Sequence, residues 1–74
     1  MKYILRTDTI YDENKKAYTV YGIMAVSSSG EVIKSVPDVF FDKDKAEDFV
    51  DRCNKDRLPL VHLDDVIEDA LVGL

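Results

Sequence analysis

Few side chains in this sequence have the chemistry for catalysis or metal binding, and two of them occur only once. Cys53 is the single cysteine and His62 the single histidine among the 74 residues. A nucleophilic cysteine needs a nearby base and a lowered thiol pKa, and His62 is the only imidazole that could act as that base. With the carboxylate of Asp65, these residues form the candidate for a small-ligand or metal-binding regulatory site.

The positions of these residues favour structural roles over chemical ones. Cys53 lies on the apolar stripe of a predicted helix, where cysteine behaves as a small hydrophobic side chain. His62 stands directly before Leu63 and fits the start of a second helix. Nothing in the spacing orients a cysteine, a histidine and a carboxylate toward one another. The sequence therefore predicts no catalytic residue, no cofactor and no metal site, and we do not expect an enzyme.

Negative charge is concentrated near the C-terminus. The net charge is −5, and residues 58–74 contribute −4 of it through four carboxylates and no Lys or Arg. Asp65, Glu68 and Asp69 fall on one face of the predicted second helix, which is typical of a solvated surface or of docking to a basic partner. An acidic protein lacks the basic footprint that phosphate recognition requires, so no nucleic-acid partner is expected.

The length predicts one small domain over residues 1–74. A chain of this size buries only about 60% of its unfolded surface, and small domains usually gain stability from disulfides, a metal or a partner chain. A single cysteine cannot form an intrachain disulfide, and Cys53 with His62 supplies too few ligands for structural zinc. The remaining source of stability is another chain, so we expect a protein partner or self-association.

The sequence also bears on location. No apolar run reaches the length of a signal peptide core or of a membrane span. A lone cysteine without an export signal predicts the reducing cytoplasm, and no membrane partner is expected.

The first half of the chain has the composition of three β-strands. The predicted strands, rich in β-branched and aromatic side chains, are residues 2–11, 17–28 and 31–36. A polar turn in which Asn14 suits a left-handed backbone separates the first two, and Ser29 with Gly30 separates the second from the third. Pro37 has no N–H for a ladder and is predicted to end the third strand. Two tight turns of this kind predict an antiparallel meander.

After the third predicted strand, the spacing at which apolar residues recur changes from two residues, as in a strand, to 3.6 residues, as in a helix. The first helical stripe consists of Ala46, Phe49, Val50 and Cys53. Asp42 or Asp44 can cap the N-terminus of this helix, because a short carboxylate accepts hydrogen bonds from free backbone N–H groups. Asn54 is the predicted end of the helix.

A second helix follows an apolar linker that is expected to pack against the core. Its stripe consists of Leu63, Val66, Ile67, Ala70 and Leu71. His62 is the predicted N-cap, Val61 and Val66 are placed to form a hydrophobic staple, and Gly73 lies just past the end. The predicted fold is therefore α+β: a three-stranded antiparallel meander followed by two helices packed on one face, in the order β-β-β-α-α.

The alternation of side chains along the strands divides the sheet into an odd face and an even face. If Tyr11 lies opposite Ala17, the odd face carries the fewer charges and is assigned to the core, with Val32 and Val36 on it. The even face is then exposed, although it carries an apolar set predicted as a protein interface: Ile4, Val20, Met24, Val26 and Ile33. A reversed assignment of the faces, or a bulge at Gly22 that shifts the register, is the alternative.

Two segments together resemble a known family. Residues 42–54 read DKDKAEDFVDRCN and residues 59–71 read PLVHLDDVIEDAL. This combination resembles a family of short uncharacterised bacterial proteins, a domain of unknown function common among Gram-positive anaerobes. Tyr21-Gly22-Ile23 is compatible with the family, whereas Phe41 departs from the small capping hydroxyl expected there. The resemblance implies a small cytoplasmic α+β protein and assigns no catalytic residue.

These observations favour one function over another. The small size, the lack of a catalytic constellation and the surplus apolar strand surface predict a non-enzymatic protein-interaction module, including the case of a homodimer formed through the sheet. The alternative is the small-ligand or metal-binding regulatory domain centred on Cys53, His62 and Asp65.

Overall fold

The computed structural model describes residues 1–72, so Gly73, which was predicted to lie just past the end of the second helix, is outside the described residues. The strands are β1 (Lys2–Tyr11), β2 (Ala17–Val26) and β3 (Val32–Phe40), and the helices are α1 (Lys43–Lys55) and α2 (Leu63–Val72), preceded by a 3₁₀ turn over Leu60–His62. The strands form an antiparallel sheet in the order β1-β2-β3. The predicted α+β class and the order β-β-β-α-α are confirmed.

The β1–β2 hairpin has the predicted register, with Tyr11 opposite Ala17. Its turn is organised by the carboxylate of Asp12, which accepts hydrogen bonds from the backbone N–H groups of Asn14 (2.8 Å) and Lys16 (2.9 Å). The left-handed residue of the turn is Lys15, with φ 62°, and not Asn14 as predicted. The Asp12 side chain supplies the turn bonds itself, so the chain tolerates a lysine in that conformation.

The third strand is longer than predicted and continues through Pro37 to Phe40. The register changes between Ile23, which faces Val36, and Tyr21, which faces Phe40. The extra residues of β3 form a bulge that contains Pro37 and Asp38, the latter with φ 57°. A proline is tolerated at such a place because β3 is an edge strand and a bulged residue needs no ladder hydrogen bond.

The β2–β3 connection is also wider than the predicted two-residue turn. The N–H of Ser27 donates to the carbonyl of Glu31 (2.8 Å), so β2 ends at Val26 and not at residue 28. A second register shift at the end of β2 places Val32 opposite Val26. Val32 is therefore exposed, and its predicted place on the core face is wrong.

The helix boundaries follow the capping prediction in one helix and depart from it in the other. Asp42 caps α1 and accepts hydrogen bonds from the N–H groups of Asp44 (2.9 Å) and Lys45 (3.4 Å). Helix α1 continues one residue beyond the predicted end at Asn54. His62 lies in the 3₁₀ turn, and Val61 is 80% exposed, so the predicted staple between Val61 and Val66 is wrong.

The core lies between the odd face of the sheet and the two helices, as predicted. Tyr3, Ile23 and Ala25 contribute from the sheet, and they pack with the buried helical residues Ala46, Val50, Cys53, Leu63 and Ile67. The rings of Phe40 and Phe49 pack at a centroid distance of 5.4 Å. Lys34, the one charged residue predicted on the core face, forms a 2.8 Å ion pair with Asp64 at the edge of the core.

Candidate functional site

The structure does not bring the three residues of the predicted ligand site together. Cys53 is 4% exposed and belongs to the core, whereas His62 and Asp65 are exposed on the 3₁₀ turn and on α2. Cys53 lines two clefts, and neither His62 nor Asp65 lines either of them. Over residues 1–72, no group of three or more potential metal ligands is close enough to hold an ion. The prediction of a joint site at these three residues therefore has no geometric support.

The surroundings of Cys53 keep its thiol protonated. Burial raises the pKa of the Cys53 thiol, and the nearby carboxylate of Asp56 raises it further, whereas Arg52 lowers it. An open cleft of about 350 Å³ between α1 and α2 borders the thiol, with Phe49, Leu58 and Val66 among its walls. A raised pKa disfavours the thiolate that nucleophilic chemistry needs, so Cys53 acts as a core side chain.

The apolar set on the even face is only partly exposed. Val20 is 1% exposed and Val26 8%, so the expectation that the whole set faces solvent is wrong for these two valines. Ile4 and Met24 are half-buried, and Ile33 is 49% exposed. The role of this set in binding a partner stays a prediction, now limited to its exposed members.

Two features lie near Val20 on the even face. The β3 bulge closes over the even face at Gly22, where a Cβ atom would collide with the carbonyl oxygen of Val36 and lie 2.9 Å from Cα of Pro37. On the other side, Asp8 is the direct cross-strand neighbour of Val20. The bulge near Gly22, considered as the alternative to the face assignment, is present in the β2–β3 pairing, but the β1–β2 register stays intact.

A polar cluster crosses the same face. Arg6 binds Asp8 through Nε at 2.6 Å and reaches over β2 to the Ser35 hydroxyl, which lies 2.5 Å from its Nη1. The cross-strand neighbour of Arg6 is Gly22, which has no side chain. The hydrogen bond to Asp8 raises the pKa of Arg6 above its already high ordinary value. The guanidinium therefore links both edge strands of the sheet.

One end of β1 is joined to α1 by a side-chain amide. The N–H of Tyr3 donates to Oδ1 of Asn54 (2.7 Å), and Nδ2 of Asn54 donates to the carbonyl of Tyr3 (2.8 Å). The Tyr3 hydroxyl also donates to the carbonyl of Leu58 (2.7 Å), and burial raises the pKa of this phenol, with Cys53 adding to the effect. Asn54 thus pairs with Tyr3 as a neighbouring strand would.

The rest of the outer edge of β1 is open. The N–H of Asp12 donates inward to the carbonyl of Lys16 (3.1 Å), whereas the backbone of Tyr3 faces outward to Asn54. Backbone groups of an antiparallel strand alternate in direction, so the odd residues of β1 face outward. Leu5, Thr7 and Thr9, with Tyr11 at the hairpin end, form the open part of this side. Within residues 1–72, no hydrogen bond reaches their outward N–H and C=O groups.

The two edges of the sheet differ in regularity. All ten residues of β1 pair in one uninterrupted register with β2, and no Pro, Gly or bulge interrupts the strand. The β3 edge contains two register shifts, Pro37 and a left-handed Asp38. Bulges and prolines are the usual devices that stop another strand from pairing with an edge. The β3 edge has such protection, and β1 has none between Tyr3 and the hairpin.

The residues of this edge were not singled out from the sequence. A meander always places its first strand at an edge, so the strand order was sufficient to identify β1 as an edge strand. The sequence predicted the Tyr11–Ala17 register, but a register alone does not say which residues direct their backbone groups outward; the hydrogen bonds of Tyr3 and Asp12 do. Asn54 and Tyr3 lie 51 positions apart in the sequence, so no local sequence pattern predicts their contact.

The architecture and the open edge define a small α+β domain with a three-stranded sheet covered on one face by helices. The chain belongs to a family of unknown function, DUF6514, whose model matches residues 1–72. This agrees with the resemblance to an uncharacterised family, while the bacterial source implied by that resemblance stays a prediction. No curated protein and no solved structure shows significant similarity to the chain. Over the described residues, none of the helices has the length and apolar character needed to cross a membrane.

Proposed function

We propose that this protein is a non-catalytic interaction module that binds another polypeptide by adding a strand to the β1 edge. The observation that carries the proposal is the regular, unprotected backbone of Leu5, Thr7 and Thr9 on the outer side of β1. Strand addition to an open edge is a common mode of peptide recognition, in which main-chain hydrogen bonds supply affinity and alternate side chains supply specificity.

The limits of the open edge support a binding segment of defined length. Asn54 occupies the backbone of Tyr3 at one end, and the Asp12 turn closes the hairpin at the other. An added strand therefore has a fixed start and a fixed stop. The side chains beside it are Thr7 and Thr9 on one face, and Arg6 and Asp8 on the other, so a partner meets both hydroxyl groups and a pair of opposite charges.

The test compares two proline variants on the same edge. Thr7→Pro removes an outward N–H in the middle of the open part, whereas Tyr11→Pro removes one at the hairpin end, and neither removes a bond to β2. Tagged wild-type and variant proteins are mixed with cell extract that contains an untagged copy of this chain. We expect that one protein from the extract binds to tagged wild type and to tagged Tyr11→Pro, and that it does not bind to tagged Thr7→Pro. Equal retention by all three, or retention by none, contradicts the proposal.

The cleft beside Cys53 gives a second candidate function, binding of a small apolar ligand. The cleft has about 350 Å³ of space and apolar walls, with Arg52 and Asp56 at its rim as polar contacts. A thermal-shift screen with small metabolites tests it, with Val66→Phe as the variant that fills the cleft. A ligand that stabilises wild type and not Val66→Phe supports binding there, and a screen without any shift contradicts it.

We also propose that the module acts in the cytoplasm. The support is the single thiol of Cys53, since a free cysteine persists in a reducing compartment.

A further inference from the structure

The β1 edge has side chains that complement a second copy of itself. Because the outward residues are all odd, an added antiparallel β1 can pair only odd residues with odd residues. A twofold axis between two such strands then lies midway between the two copies of one residue, and the axis is named after that residue. Every allowed arrangement is specified by naming that residue.

The axis through Thr7 produces a complementary set of neighbours. Arg6 of one copy lies opposite Asp8 of the other, and Ile4 lies opposite Ile10. Opposite charges and apolar pairs directly across an antiparallel ladder are stabilising. Within one chain Arg6 already binds Asp8 at 2.6 Å, so the two copies would join two existing ion pairs into one network of four charges.

Other positions of the axis pair the side chains of the two copies less favourably. An axis through Asp8 places two carboxylates opposite each other, and an axis through Arg6 places two guanidinium groups opposite each other, which is destabilising. Axes through Arg6 or Leu5 also set Thr9 or Thr7 opposite the backbone of Tyr3, which Asn54 occupies, whereas the axis through Thr7 sets only Tyr11 there. An axis through Thr9 sets Asp8 against Ile10, and it sets Arg6 against Asp12, whose carboxylate is already used in the hairpin turn.

We propose that the partner of the β1 edge is a second copy of this chain, paired antiparallel about a twofold axis at Thr7. The inference rests on the function proposed above and names its partner and register. Leu5 pairs with Thr9 of the second copy, and the two Thr7 residues pair with each other. The two sheets then form one continuous sheet with the helices of both copies on the same face. This dimer differs from one formed through the even face, since it uses the strand edge.

The test is the dissociation constant of the purified full chain, measured by sedimentation equilibrium or light scattering. We expect wild type to dimerise, and Thr7→Pro to raise the dissociation constant at least about 30-fold, because the hydrogen bonds on the axis are lost in both copies. Tyr11→Pro is the matched control and should change it by less than about 3-fold, because Tyr11 faces the occupied Tyr3 of the second copy. If Tyr11→Pro raises the dissociation constant as much as Thr7→Pro does, the proposed register is contradicted.

Charge variants test the same register without a proline. Asp8→Arg places two cations opposite each other across the axis and should weaken the dimer about 10-fold. The double variant Arg6→Asp with Asp8→Arg restores both the pair within the chain and the pair across the axis, and should recover most of the affinity. No recovery in a folded double variant contradicts the proposed pairing. These variants decide the question if Thr7→Pro does not fold.

The outcomes separate the two proposals. A purified chain that stays monomeric at about 500 μM overturns the second copy as partner. If that monomer still retains another protein in a manner sensitive to Thr7→Pro, binding through the β1 edge stands with a different partner. If it retains none, both proposals fail.

Discussion

The side-chain amide of Asn54, in the last turn of α1, pairs with the backbone of Tyr3 through two hydrogen bonds of 2.7 and 2.8 Å. Residues 51 positions apart are joined in this way, and the helix completes the edge of the sheet at one point. The pairing anchors the C-terminal end of α1 to β1 and sets where the open edge begins.

Replacement of this amide should destabilise the fold. Asn54→Ala removes both hydrogen bonds and should lower the free energy of unfolding by about 1–2 kcal/mol, because each bond contributes roughly 1 kcal/mol and alanine returns some helix propensity. Urea denaturation followed by circular dichroism measures the change. Lys55→Ala, in the same turn and exposed, is the control and should stay within about 0.5 kcal/mol of wild type. Equal stability of Asn54→Ala and Lys55→Ala would show that the pairing does not contribute.

Gly22 is required because β3 passes directly over it. Gly22→Ala places a methyl group against the backbone of Val36 and Pro37, neither of which can rotate away. We expect a loss of about 1–3 kcal/mol in unfolding free energy, with amide chemical-shift changes concentrated in residues 36–40.

The matched control for this position is Gly30→Ala. Gly30 has nothing within 4 Å of a built Cβ atom but has φ 89°, so the substitution costs only backbone strain, about 1 kcal/mol. Its shift changes should stay in the β2–β3 turn. A Gly22→Ala variant as stable as wild type would contradict the close passage of the bulge.

The thiol of Cys53 should react slowly in the folded protein. Its raised pKa lowers the thiolate fraction, and burial keeps reagents away. We expect a disulfide reagent at about pH 8 to modify the native chain at least about 100-fold more slowly than the chain in urea, since reaction requires opening of the core. Native modification at the rate of the unfolded chain would place the thiol at the surface and contradict its core position.

The turn at Asp12 predicts an acid-dependent loss of stability. Hydrogen bonding from the Lys16 N–H is the largest cause that lowers the pKa of Asp12, with further bonds from the Asn14 N–H and the Tyr18 hydroxyl. A carboxyl whose pKa is lowered by folding contributes stability above its unfolded-state pKa of about 3.9 and loses it as the pH falls through the folded-state value. Asp12→Ala should therefore be less stable than wild type at about pH 7, and the difference should shrink at about pH 2.

Urea midpoints of both proteins at the two pH values provide the measurement. Glu13→Ala, which removes a neighbouring carboxylate of the same turn, is the control variant. If the urea midpoints of wild type and Asp12→Ala differ by the same amount at both pH values, the charge of the Asp12 carboxylate does not stabilise the turn.

The sequence was sufficient for the fold but not for the departures from regular pairing. Alternation and helical periodicity identified the strands, the core face and the Asp42 cap, because each depends on residues near one another in the chain. Pro37 appeared to end β3, since a local rule does not anticipate that a bulge opposite Gly22 removes the need for its N–H. The expected exposure of Val20 was wrong because its surroundings, which include Asp8 of the neighbouring strand, come together only on folding.

For the candidate site too, the features that depend on local sequence were predictable and those that depend on distant contacts were not. Cys53 was expected to fill the core stripe, and it does, because its place on a helix is a local property. The exposed position of His62 and its separation from Cys53 depend on where the 3₁₀ turn over Leu60–His62 lies relative to the core. The open edge combines strand order, parity and the distant Asn54, so it required the complete structure.

The most direct test of the interaction proposal is amide hydrogen exchange along β1, measured by NMR from about 10 μM to about 1 mM protein. The inward amides of Arg6 and Asp8 should exchange slowly at every concentration, because they bond to β2. The outward amide of Thr7 should exchange rapidly in dilute solution and at least about tenfold more slowly when a second copy covers the edge. A Thr7 amide whose exchange is unchanged by concentration and by added cell extract would contradict recognition through this edge.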